Sequence, residues 1–292
     1  MYSEISANKR KTWLIMFSFL VIIGALGWVV SAMYGTYNFL YLAFIIGGVY
    51  ALIQYFAAAK LALATNGAHE VTKQDQPRLY RTVENLTIAT GLPMPKVYVI
   101  DDPAPNAFAT GRDPQHAMVC ATSGLLSLMD DNELEGVIAH ELGHIQNYDI
   151  RVMMIVFGLV SAIGLIANMM MNMFWFGGRD EERSPNPIFI VIGLVAAILA
   201  PLAASLVQLA VSRRREYLAD STGALTTRYP EGLASALEKI GAHGSVMRKQ
   251  NTATAHLFFA NPLKGKGLSN LFSTHPPIEE RIKRLRGMET KV

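Results

Sequence analysis

The chain has 292 residues, 51% of them hydrophobic and only 17% charged, with a formal net charge of +3. Soluble domains carry about 25% charged residues, so the deficit argues against an ordinary soluble protein, and so small a net charge gives no reason to invoke a nucleic-acid partner. The single cysteine, Cys120, excludes an internal disulfide. Residues 12–59, 152–178 and 184–212 contain no Asp, Glu, Lys or Arg. Crossing a ~30 Å hydrocarbon core takes roughly 20 apolar residues. The first stretch predicts two spans, 13–34 and 39–59, that turn at Gly35-Thr36-Tyr37-Asn38. The others predict one span each, 152–176 and 187–211, the last kinked by Pro201. Lys9-Arg10-Lys11 followed by Val30-Ser31-Ala32 resembles a cleavable leader, but the apolar stretch far exceeds the usual length of about 7–15 residues.

Lys and Arg set the orientation. Lys9, Arg10 and Lys11 precede the first span; Lys60, Lys73, Arg78 and Arg81 follow the second; Arg213, Arg214 and Arg215 follow the fourth. The first turn has none, and Arg179 and Arg183 are offset by Asp180, Glu181 and Glu182. Both termini and the segment between spans two and three are therefore expected in the cytoplasm, where Cys120 would meet a reducing environment. The chain divides into a transmembrane hairpin (1–59), a first cytoplasmic part (60–151), a second hairpin (152–211) and a second cytoplasmic part (212–292).

In the first cytoplasmic part, residues 76–90 predict a helix ended by Gly91-Leu92-Pro93, and Lys96–Ile100 alternates like a strand. A loop covers 101–106, and Ala117–Thr122 predicts a second strand, expected at an exposed edge where an extended peptide could pair. Asp130, with Glu133 three residues on, resembles a capping box opening a helix through at least Gln146. That helix carries VIAHELGHIQNYD at 137–149. His140 and His144 fall on one helical face a turn apart, so two imidazoles can meet one ion, and Glu141 can reach a water bound there. A catalytic zinc site needs a third protein ligand and an open position. RRREYLAD at 213–220 offers Glu216 as ligand and, one turn on, Asp220 to hold the far nitrogen of a ligand histidine. The competing reading of Glu216 is a surface carboxylate paired with Arg213 or Arg215.

PNAFATG (105–111), ATSGLL (121–126), HELGHIQNYD (140–149), RRREYLAD (213–220) and STHPPIEERI (273–282) together resemble the HtpX heat-shock membrane metalloproteases over nearly the whole chain. The resemblance implies an α-rich integral membrane protein with four transmembrane helices and an α+β zincin-like (gluzincin) cytoplasmic protease domain. It implies a Zn2+ endopeptidase of the bacterial plasma membrane that degrades misfolded or damaged membrane proteins under stress. Its ligands carry over as His140, His144 and Glu216, and its catalytic glutamate as Glu141. His275 is the candidate oxyanion donor, the alternative being a structural helix-start histidine; Arg281, one turn on, reads as an ion-pair partner. Asn106, Ala121 and Thr122 are candidate substrate contacts, the plainer reading of Asn106 being a turn residue after Pro105. His69, His116, His243 and His256 have no ligand spacing.

Three other readings compete. An intramembrane protease would place H-E-x-x-H inside a span with an aspartate in a second one, whereas this motif helix is charged and the spans contain no aspartate. The CAAX prenyl protease class shares the zinc chemistry but uses more than four spans. A scaffold with a structural zinc needs a fourth protein ligand, which His275 could supply.

Overall fold

The structure is a computed structural model and describes residues 2–176, 213–249, 254–263 and 276–289. Helices α1 (Tyr2–Tyr34) and α2 (Asn38–Thr65) form the expected first hairpin, turning at Gly35 with φ +65°. Leu40–Thr65 is long and apolar enough to cross a membrane. Trp13, Phe17, Trp28, Phe44, Ile45, Leu52 and Phe56 on these two helices are all exposed, an apolar surface that water would penalise.

Next come β1 (Ala68–Glu70), α3 (Pro77–Thr90), β2 (Lys96–Ile100), β3 (Ala107–Gly111) and, after a 3-10 turn, β4 (Ala117–Thr122). Pro77 starts α3, and Gly91 in the left-handed region stops it, the Leu92 N–H closing on the Thr87 carbonyl at 3.0 Å. The sheet order is β1-β2-β4-β3, with β2 and β4 parallel and the other pairs antiparallel. This corrects the expected edge: Ala117–Thr122 lies between β2 and β3 and all six of its residues are buried. Edge strand β3 was not read from the sequence.

Both faces of the sheet are covered. Val97, Val99, Val119, Ala121, Ala107 and Ala109 pack towards α3 and α5 (Asp131–Gln146). Phe108, Met118 and Cys120 alternate to the other face, against Ala58, Ala62 and Leu63 of α2 and Met153, Met154 and Phe157 of α6 (Asp149–Phe176). The sheet and the membrane-type helices thus share one apolar core. Helix α6 begins three residues before the expected third span and follows α5 after Asn147 and Tyr148. The expected fourth span, 187–211, and the loop before it lie outside the described residues.

Short α4 (Ser123–Leu128) leads to α5, whose N-terminus has the full capping box: Asp130 accepts from the Glu133 N–H at 3.0 Å, and Glu133 accepts from the Asp130 N–H at 2.8 Å. Glu133 also takes bonds from Ser235 and Lys239, both at 2.6 Å, fixing α5 against α8 (Pro230–His243). Asp130→Ala should lower stability by about 1 kcal/mol, read as a lower Tm with unchanged metal content. A Tm equal to the parent's would show that the cap is dispensable. Helix α7 (Arg213–Thr227) lies across α5, and α9 (Ile278–Glu289) packs against α8. Backbones approach closely here. A Cβ on Gly136 would lie 2.7 Å from the Leu233 nitrogen, and one on Gly223 3.0 Å from the His140 nitrogen.

Candidate active site

That close crossing brings α7 onto the face of α5 that carries the histidines. His140, Glu141, His144 and Glu216 are all buried, so Glu216 is no surface carboxylate. The two Nε2 atoms are 3.2 Å apart, with the rings perpendicular. Glu216 Oε2 is 3.8 Å from His140 Nε2, and Oε1 is 3.6 Å from His144 Nε2. One donor atom from each of the three lies within 4.8 Å of the others.

Each ring is held from behind. Asp220 Oδ1 is 2.9 Å from His140 Nδ1, as expected for that residue. Asp149 Oδ2 is 3.0 Å from His144 Nδ1. With Nδ1–H donating to a carboxylate, each neutral ring turns the lone pair of Nε2 inward. Burial pushes the His140 pKa down to about 4, despite Asp220. Burial also opposes charge on His144, but the bond to Asp149 and the nearby carboxylates raise it to about 9.

Arg281 donates to both Asp220 oxygens, at 2.9 and 2.7 Å, and is itself buried. Its guanidinium lies over the Phe259 ring, which meets His140 edge-on. Burial works against the Asp220 carboxylate, yet Arg281 and His140 hold its pKa down at about 2. The reading of Arg281 as an ion-pair partner holds. Arg215 faces Asp149 at 3.4 Å.

Glu141 adjoins the cluster from the same helix and accepts from the Ala109 N–H of β3 at 2.8 Å. Above them the Ala255–Ala260 segment closes the site: Phe259 N–H donates to the Ala107 carbonyl at 2.8 Å. Leu257, Phe258 and Phe259 leave a cavity of about 10 Å³, close to the smallest that admits one water. His256, which has no ligand spacing in the sequence, is buried at this cavity and donates from Nε2 to the Met153 carbonyl.

The expected substrate contacts occupy framework positions. Asn106 Nδ2 donates to the Ala260 carbonyl at 2.8 Å, and its Oδ1 accepts from the Ala260 and Ala107 N–H groups, so its amide is engaged by backbone. Thr122 caps α4 through the Leu125 N–H, and Ala121 is buried under α5. His275 lies outside the described residues. The sequence reading gave no role to Asp149, although it stands inside the quoted HELGHIQNYD motif.

The peptidase family M48 profile matches residues 73–289. The Protease HtpX homolog of Tropheryma whipplei (strain Twist) is 55% identical over 289 residues, 99% of this chain and 98% of that one. The Protease HtpX homolog of Dictyoglomus thermophilum is 46% identical over 288 residues, covering 98% and 94%. That of Streptococcus gordonii is 43% identical over 300 residues, covering 99% and 100%. The crystal structure of S. mikatae Ste24p shares the fold, with a TM-score of 0.53 at 20% identity over 98% of this chain and 67% of that one. Those matches extend across every element that builds the His140–His144–Glu216 cluster, and the chain belongs to peptidase family M48 as a metallopeptidase of the HtpX type.

Proposed function

We propose that the chain is a zinc-dependent endopeptidase of the bacterial plasma membrane. Its site would face the cytoplasm and act on misfolded or damaged membrane proteins. The observation that carries the metal reading is the geometry of the buried cluster. His140, His144 and Glu216 are all buried and each offers one donor atom within 4.8 Å of the others. Two nitrogens held roughly 2.0–2.1 Å from one tetrahedral ion lie about 3.3 Å apart, close to the 3.2 Å between the Nε2 atoms. His140, His144 and Glu216 would hold zinc, with Asp220 and Asp149 behind the two imidazoles.

Zinc bound there supplies Lewis acidity towards water and the peptide carbonyl. The protein's own groups do the rest. Glu141 takes a proton from the attacking water and delivers it to the leaving amine nitrogen. Developing charge on the carbonyl oxygen calls for a fixed donor, and His275 remains our candidate for that role. Purified in detergent and given zinc, the protein should cleave casein, lose that activity to phenanthroline and regain it on zinc addition. Hydrolysis unaffected by the chelator would overturn the zinc reading.

The cytoplasmic placement and the four-span arrangement, with boundaries at 59, 151 and 211, are proposed from charge. The first turns of α1, bearing Lys9, Arg10 and Lys11, contact the start of α6, and the end of α2 joins the same core. The site thus sits at the basic end of these helices. Reporter fusions after Tyr37 and Arg183 should read as outside, and those after Gly91 and Val292 as inside. An outside signal at Gly91 would reverse the topology.

A further inference from the structure

Helix α1 does more than supply an apolar span. Asn8, Thr12, Ile15 and Phe19 follow one helical face, and all four are buried. Ile15 and Phe19 pack with Val152, Ile155 and Val156 of α6. Below them Asn8 is only 2% exposed, and a buried amide is costly unless its hydrogens are used. Asn8 Nδ2 donates at 2.9 Å to the Asn147 carbonyl and at 2.8 Å to Asp149 Oδ1. Asn147 is the C-cap of α5, where carbonyls lack partners within the helix. Asp149 turns its other oxygen to His144 Nδ1. The further contact to Oδ1, from Arg215, is 3.4 Å long. Thr12 fixes this turn of α1 by donating to the Asn8 carbonyl, and Lys9 lies over the Tyr148 ring.

We propose that Asn8 is a positioning residue: through Asp149 it sets the imidazole of His144, and so ties the N-terminal helix to the metal centre. Asn8 touches neither substrate nor reacting atoms. It fixes the carboxylate that fixes the ring, and joins the end of the motif helix to the first membrane-type helix. The proposal rests on His140, His144 and Glu216 being metal ligands.

The test uses the full chain in detergent, with Asn8→Ala and the isosteric Asn8→Asp. Asn8→Asp keeps the volume but sets an acceptor against two acceptors. Three quantities are read: zinc affinity by competition with a chelating dye, kcat and KM on casein, and Tm of the zinc-free protein. Asn8→Ala should weaken zinc binding about 3–10-fold, and Asn8→Asp about 10–100-fold, the range seen for groups that hold ligands from behind. In both, kcat should fall with KM within about twofold. Adding Asn8→Ala to Asp149→Ala should change affinity by less than about twofold, because the route through Asp149 is already cut. Zinc affinity within twofold of the parent in both single variants overturns the proposal, whatever happens to Tm. So does additivity in the double variant, or failure of both single variants to fold, each of which makes Asn8 a framework residue. A parent that binds no zinc takes down the ligand reading first, and the proposal with it.

Discussion

Glu141→Gln should keep about one metal ion per chain and lose about 10²–10⁴-fold in peptide hydrolysis, the usual contribution of a positioned general base. Glu141 is buried on α5 directly after His140 but stands outside the His140–His144–Glu216 cluster. Glutamine has nearly the same volume, and its carbonyl oxygen can still accept the Ala109 N–H that now reaches Glu141 Oε2. The cavity and the ligands should therefore survive, while the amide can no longer take a proton. The loss amounts to about 3–5 kcal/mol of transition-state stabilisation. It should fall on kcat, because nothing that binds substrate has been removed. Metal content by atomic emission and casein turnover, measured on one preparation, decide the matter. Turnover near the parent's would remove Glu141 from the mechanism. An inactive, metal-loaded variant would also retain peptides in the site, and their identification would give the substrate class.

Parts of this site can be read from spacing alone because they sit on uninterrupted helices. His140 and His144 are one turn apart on α5, and Glu216 and Asp220 one turn apart on α7. Helical geometry then fixes which side chains share a face. Asp149 escapes that logic. Five residues past His144, a continuing helix would carry it away from the imidazole. Instead Tyr148 takes φ +61° between α5 and α6 and swings Asp149 back to His144 Nδ1. A positive φ at a tyrosine is uncommon and leaves no mark in the residue pattern. Asn8 is still less visible, because its partners lie 139 and 141 residues away.

The sheet shows the same division. Pro77, Gly91 and the alternation at Lys96–Ile100 mark α3 and β2 by local chemistry. β3 reads AFATG and is buried throughout, so it has no polar face to alternate. Assigning the edge to Ala117–Thr122 followed from that omission: with β3 unseen, β4 had no neighbour on its outer side. Strand order depends on pairing across long stretches of chain, which local pattern does not encode.

Glu216→Ala should leave the protein without metal at ordinary concentrations. Two imidazoles alone would remain of the cluster, and a zinc hydrolase site is built on three protein ligands. Asp220→Ala should be milder, weakening affinity about 10–100-fold, because it frees the His140 ring and strands Arg281 without removing a ligand. Thermal unfolding with and without zinc separates the two. An ion that binds only the folded chain, present at about 100 times its dissociation constant, stabilises by about 2.7 kcal/mol. The parent should show that rise in Tm, Asp220→Ala should recover it at higher zinc, and Glu216→Ala should not recover it. A metal-free protein of near-parental stability that no longer responds to zinc would identify Glu216 as a ligand and not as a framework carboxylate. Full occupancy in that variant would mean that another group completes the set.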